Sequence, residues 1–187
     1  MAGSSLSGGF ADAPRDAAHA FRAAMTAMAR PGRIVTIGGA AAPAPVSVAA
    51  ATLLLTLCDP ETPVWIAPSH DSPDLRDWLA FHTGAPLTGA RDCRFALGDW
   101  AGLCPIDRFA TGTPEYPDRS ATLIVEVARL ANEGAVLSGP GIEGTTRLTL
   151  PEPAAFARNA GLFPLGLDVF LTAGTQLAAV PRSTRIG

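Results

Sequence analysis

The apolar positions of this chain switch between two periods. From Asp12 to Ala29 they recur every three or four residues (Ala18, Phe21, Met25, Met28), which predicts an amphipathic helix stopped by Pro31-Gly32. "RIVTI" (33–37) then reads as a short strand, and the Ala/Pro stretch 40–45 as a loop. Ser47 is placed to cap a buried helix that runs to Cys58, where Asp59-Pro60 ends it. "PVWIA" (63–67) is strand-like. Ser72-Pro73-Asp74 supplies a cap, a proline at the first helical position and an acid in the first turn. That predicts a helix to about Phe81, broken by Gly84 and Pro86.

"CRFAL" (93–97) predicts a strand, and residues 99–119 read as irregular. "ATLIVEVARL" (121–130) is the strongest strand signal, apolar on both faces as a sheet covered on both sides requires. "VLSGPGI" and "TTRLTL" follow around a Gly-Pro-Gly turn, then "PEPAAFARNA" as a short helix. "LGLDVFLTA" (165–173) and "QLAAVP" (176–181) close as strands, with Gly174-Thr175 joining them as a hairpin. Alternation of helix and strand, then mostly strands, predicts an α/β class: a mixed sheet with flanking helices in a single domain over 12–187. The Gly/Ser-rich residues 1–11 are expected to be a flexible segment.

Composition narrows the function. The chain is 48% hydrophobic, 17% charged and carries a net charge of −3, without the basic patch a nucleic-acid surface needs. All 14 basic residues are arginine. Without lysine there is no Schiff base to pyridoxal phosphate, no P-loop lysine and no lysine base. Anions must be held by Arg, backbone N–H groups or hydroxyls. Three cysteines without a CxxC fit free thiols in a reducing cytoplasm. The start lacks the charged and apolar regions of a signal peptide. Residues 34–58 carry no charge, but glycines and prolines interrupt them. The remaining "SVAAATLLLTLC" is short of the ~20 residues of a span, so no membrane segment is expected.

Candidate chemistry is sparse. Asp168 stands in an apolar strand, where an unpaired carboxylate costs several kcal/mol. It reads either as a functional carboxylate at a pocket or subunit junction, or as one paired with an Arg or backbone N–H groups. Arg182 and Arg185, with Ser183 and Thr184 between them, read either as a phosphate grip or as a solvated or inter-subunit tail. His82 is expected just past a helix end, as an anion or acid site favoured by the helix dipole, or as a cap on the last carbonyls. His82 and Asp168 are candidates for an acid–base pair acting on a phosphorylated ligand, and Arg182 and Arg185 for its anion contacts. His19 pairs with Arg22 on a helix surface, and His70 is expected in a solvated loop. No metal-ligand spacing and no GxSxG elbow occur.

Six segments in order, "DAAHAFRAAMTAMARPG", "TPVWIA", "FHTGAPL", "GTPEYPDRSATLIVEVARL", "LSGPGI" and "FPLGLDVFLTAG…AVPRSTR", resemble the PhnH family of the bacterial carbon–phosphorus lyase system. The match extends from about Asp12 to Arg185. His19, Phe21, Arg22, Met25, Met28, His82, Asp168 and Arg182 are among the positions carrying it; none brings a catalytic role. The resemblance implies a fold like that of pyridoxal-phosphate-dependent transferases without the cofactor site, hence no cofactor. It implies a homodimer that assembles with PhnG, PhnI and PhnJ. It implies a part in forming a ribose 1-phosphonate 5-triphosphate from ATP and a phosphonate, with no activity expected of the chain alone. An exposed apolar patch is expected where subunits dock.

Overall fold

The computed structural model describes residues 6–187. Four strands run parallel: β2 (Val64–Ile66), β3 (Phe95–Asp99), β4 (Thr122–Glu126) and β7 (Asp168–Ala173). At one edge β8 (Gln176–Val180) folds back antiparallel on β7, and β1 (Val35–Thr36) pairs antiparallel with β8. The order is β1-β8-β7-β4-β3-β2, a mixed six-stranded sheet. Three short strands, β6 (Thr146–Leu148), β5 (Ala135–Ser138) and β9 (Arg185–Ile186), form a second sheet.

The sheet is covered on both faces, which is why β4 is apolar throughout. Alternate residues enter opposite cores. Leu97, Ile124 and Phe170 join the helices α1 (Ala13–Ala29), α2 (Val48–Leu57) and α3 (Pro73–Thr83). Leu123, Val125, Val169 and Leu171 join Leu137 and Leu148 of the second sheet and Phe156 of α5 (Pro153–Ala160). Register keeps the layers aligned: Leu97 lies beside Ile124, and Ile124 beside Phe170. The alternation around Asp168 is thus found, but β7 opens at Asp168 itself, later than residue 165.

The capping signals act as read. The Ser47 hydroxyl accepts from Ala50 N at 3.1 Å and the Ser72 hydroxyl from Leu75 N at 3.2 Å. Gly84, with φ +67°, closes α3. Residues 99–119 hold two short helical turns, α4 (Trp100–Leu103) and a 3₁₀ turn at Ile106–Arg108.

The inward face of α1 differs from expectation. Ala20, Ala24 and Ala27 are buried, while Phe21 and Met25 stand more than half exposed and Ala18 is exposed. The helix packs on α2 and β8, and α2 presents Ala49, Ala50 and Ala51 to the same core. Small side chains let the two backbones approach closely, so the larger residues are left on the outer side. Of the segment expected to be flexible, residues 1–5 lie outside the described residues. The rest touches the body: Trp78 Nε1 donates to the Ser7 carbonyl at 3.0 Å, and Ala41 N to the Gly8 carbonyl at 2.8 Å.

The Gly-Pro-Gly turn secures the end of α1. Gly141 has φ +81°, and a Cβ there would lie 2.1 Å from the Ala29 carbonyl oxygen; Gly144, with φ +70°, faces open space. Gly144→Ala is expected to cost roughly 1–2 kcal/mol of backbone strain and Gly141→Ala at least about twice that. Urea unfolding of both variants measures this; equal costs would mean that the turn does not press on α1.

Candidate functional site

Asp168 and Arg182 meet across the β7–β8 hairpin, where Val169 pairs with Val180. The Asp168 carboxylate accepts from the Arg182 backbone N at 2.9 Å, from Nε at 3.2 Å and from Nη2 at 2.6 Å. The same guanidinium donates to the Pro117 carbonyl at 2.6 Å and to the Ser120 hydroxyl. Four of its hydrogen bonds are therefore made inside the fold, and both side chains are largely buried, 13% exposed for Arg182 and 27% for Asp168. The pair is a clamp between the hairpin and the loop before β4. It leaves neither a free acid nor a free anion fork.

Arg185 stands apart from this clamp. It is exposed on β9 beside Ser138 and makes no side-chain hydrogen bond or ion pair among the described residues. His82 lies inside the last turn of α3, because that helix runs two residues past the expected end. Its ring contacts Trp78 at 5.0 Å and Phe81 at 4.9 Å, and Gly9 closes over it. Its Nε2 is buried without a hydrogen-bond partner among the described residues. His82 and Asp168 have no common neighbour in any described hydrogen bond, ion pair or ring contact. The carboxylate of Asp168 is instead engaged with Arg182.

Burial disfavours the thiolate at all three cysteines. Burial pushes Cys58 up to about 12 and Cys93 up to about 11. Cys104 is raised as well, first by burial and then by the nearby Glu152. Among the described residues no three His, Cys, Asp or Glu side chains gather as a metal site.

Two features escaped the sequence reading. The first lies beyond the carboxyl ends of β2 and β3, where open α/β sheets place ligands. The Ser69 hydroxyl donates to Asp99 Oδ1 at 2.7 Å and sits 2.9 Å from His70 Nδ1; Gly102 N adds a donor to the same carboxylate at 3.0 Å. His70 is 6% exposed, a correction to the expected solvated loop. Its backbone N returns to the Ala67 carbonyl at 2.9 Å, which folds the segment inward. Since the serine proton points at Asp99, the imidazole donates to Ser69 rather than accepting from it. That is the reverse of nucleophile activation. The Ser69 hydrogen bond is the first cause holding the Asp99 carboxyl below its ordinary value of 3.8. The second feature is a cavity of about 580 Å³ lined by Arg91, Arg119, Arg158, Phe109 and Leu167. His82, Asp168, Arg182 and Arg185 do not line it.

Two substitutions separate structural from free groups. Asp168→Ala removes three charge-assisted bonds and is expected to cost about 2–3 kcal/mol in urea unfolding, whereas Arg185→Ala should stay within about 0.5 kcal/mol. Comparable losses for both would contradict the clamp. A depressed carboxyl stabilises the fold above its unfolded pKa and loses that contribution as pH falls through the folded value. Ser69→Ala should therefore destabilise most at neutral pH, with the gap to the parent chain narrowing below pH 3.8. Unfolding curves between pH 7 and pH 3 test the trend.

The comparisons with known proteins agree along nearly the whole chain. Residues 8–187 match the family described as "Bacterial phosphonate metabolism protein (PhnH)". Alpha-D-ribose 1-methylphosphonate 5-triphosphate synthase subunit PhnH of Rhizobium meliloti (strain 1021) is 42% identical over 189 residues, covering 96% of this chain and 94% of the relative. HtxG of Stutzerimonas stutzeri, whose name associates it with the C-P lyase, is 30% identical over 173 residues, 89% of this chain and 84% of its own. The clamp between "FPLGLDVFLTAG" and "AVPRSTR" thus sits in a chain that belongs to the PhnH family.

Proposed function

We propose that this chain is a subunit of the carbon–phosphorus lyase system of organophosphonate catabolism, supporting formation of a ribose 1-phosphonate 5-triphosphate from ATP and a phosphonate. The observation that carries the reading is the 42% identity to a synthase subunit over 96% of the chain. The chain contributes surface and structure. Asp168 and Arg182 are engaged with each other, and Nε2 of His82 has no hydrogen-bond partner among the described residues.

In this reading the chain forms a homodimer and assembles with PhnG, PhnI and PhnJ in the cytoplasm. Residues 12–187 act as one α/β unit of the pyridoxal-phosphate-transferase type without its lysine. Exposed large apolar side chains, Phe21, Met25, Phe81, Tyr116, Leu162 and Phe163 among them, supply surface for neighbouring subunits to cover. No helix of the described residues is long and apolar enough to cross a membrane.

Co-expression with tagged PhnI together with PhnG and PhnJ tests the assembly. The expected result is co-elution of the chain in a fixed ratio through affinity and size-exclusion steps. Absence of the chain from a complex in which the three others are soluble and associated would sink the reading.

A further inference from the structure

The 580 Å³ cavity lies within the ~300–1,000 Å³ range of small-molecule pockets. Its inner wall includes Phe109 and Leu167, both fully buried, from the core face that carries β5, β6 and α5. Three arginines from separate segments converge on it: Arg91 from the loop before β3, Arg119 from the turn before β4 and Arg158 from α5. Asp107 is the one acid among its lining residues, in a chain whose net charge is −3.

The arginines are available. Arg91 makes no hydrogen bond or ion pair with any described residue. Among the described residues the guanidinium of Arg119 rests only on the Tyr116 ring, 4.0 Å from its centroid. Arg158 pairs with Glu152 at 3.2 Å, but both side chains are well exposed, 69% and 45%, so water and salt weaken the pair. The buried amide of Asn159 is not available: it gives Nδ2 to the Leu167 carbonyl and takes the Leu167 N–H, both at 2.8 Å. Orientation of a ligand therefore falls to the guanidinium groups, with the Thr111 and Thr113 hydroxyls also among the lining. A planar guanidinium matches an oxyanion edge, and several together match a dianion better than a single carboxylate.

We propose that this cavity binds a small molecule with a dianionic phosphoryl or phosphonyl head and an apolar body: the head among Arg91, Arg119 and Arg158, the body against Phe109 and Leu167. The inference stands apart from the assembly reading, since it concerns the isolated chain.

Calorimetry on the full chain at low ionic strength tests it with phenylphosphonate, phenyl phosphate, inorganic phosphate and benzoate. Either phenyl dianion is expected to bind at least tenfold more tightly than inorganic phosphate, which lacks the body, or benzoate, which lacks the dianion. The tighter of the two identifies phosphonate or phosphate ester as the source. Raised salt should weaken the binding. Arg91→Gln and Arg158→Gln should each weaken it about fivefold or more with an unchanged unfolding midpoint, while Arg129→Gln, whose residue lies outside the cavity, leaves it unaltered. No heat with any probe, benzoate equal to phenylphosphonate, or undiminished affinity in the Arg91→Gln/Arg158→Gln double variant would overturn the proposal.

Discussion

Everything at the start of β7 depends on one requirement: a carboxylate placed among apolar strands must be paired. Asp168 meets it by drawing in Arg182 through both backbone and side chain, and Arg182 in turn takes the Pro117 carbonyl and the Ser120 hydroxyl. One ion pair thereby ties the β7–β8 hairpin to the Pro117–Ser120 loop, which lies far from it in sequence. The most conspicuous acid and the best-placed arginine of the sequence satisfy each other.

A similar economy holds at the opposite end of the sheet. Glu126, at the end of β4, accepts from Ser47 N at 2.6 Å and from the Thr172 hydroxyl at 3.0 Å. Asp99, at the end of β3, takes Ser69 and Gly102. Each acid at a strand end holds a neighbouring segment in place: the start of α2, the partner strand β7, the turn into α4. Acids in this fold organise connections. Arg91 and Arg119, which pair with no acid among the described residues, line the cavity together with residues of the 106–113 stretch.

Much of the fold was legible in the sequence because its signals are local. Ser47 and Ser72 cap the helices they precede, Gly84 ends α3, Gly174 turns the hairpin, and the two-faced apolar run of β4 announces a covered strand. What escaped depends on partners distant in sequence. On α1, bulk points to Phe21 and Met25 as the inward face, whereas close approach to the alanines of α2 selects Ala20, Ala24 and Ala27. The burial of His70 follows from a hydroxyl and a carboxylate brought together by two parallel strands. The arginines of the cavity are separated by 28 and 39 residues, and no periodicity joins them. The family was readable because its segments keep their order, but that order does not say which residues are free.

The clamp has a consequence for motion. Opening the β7–β8 hairpin would leave the Arg182 fork and the Asp168 carboxylate without partners, and it would release the loop at Pro117–Ser120 as well. Those segments are therefore coupled, since loss of the clamp frees the end of the hairpin and the Pro117–Ser120 loop together. The second sheet has only short ladders of two or three residue pairs. Each of those ladders has fewer backbone pairs than the five-pair β7–β8 hairpin.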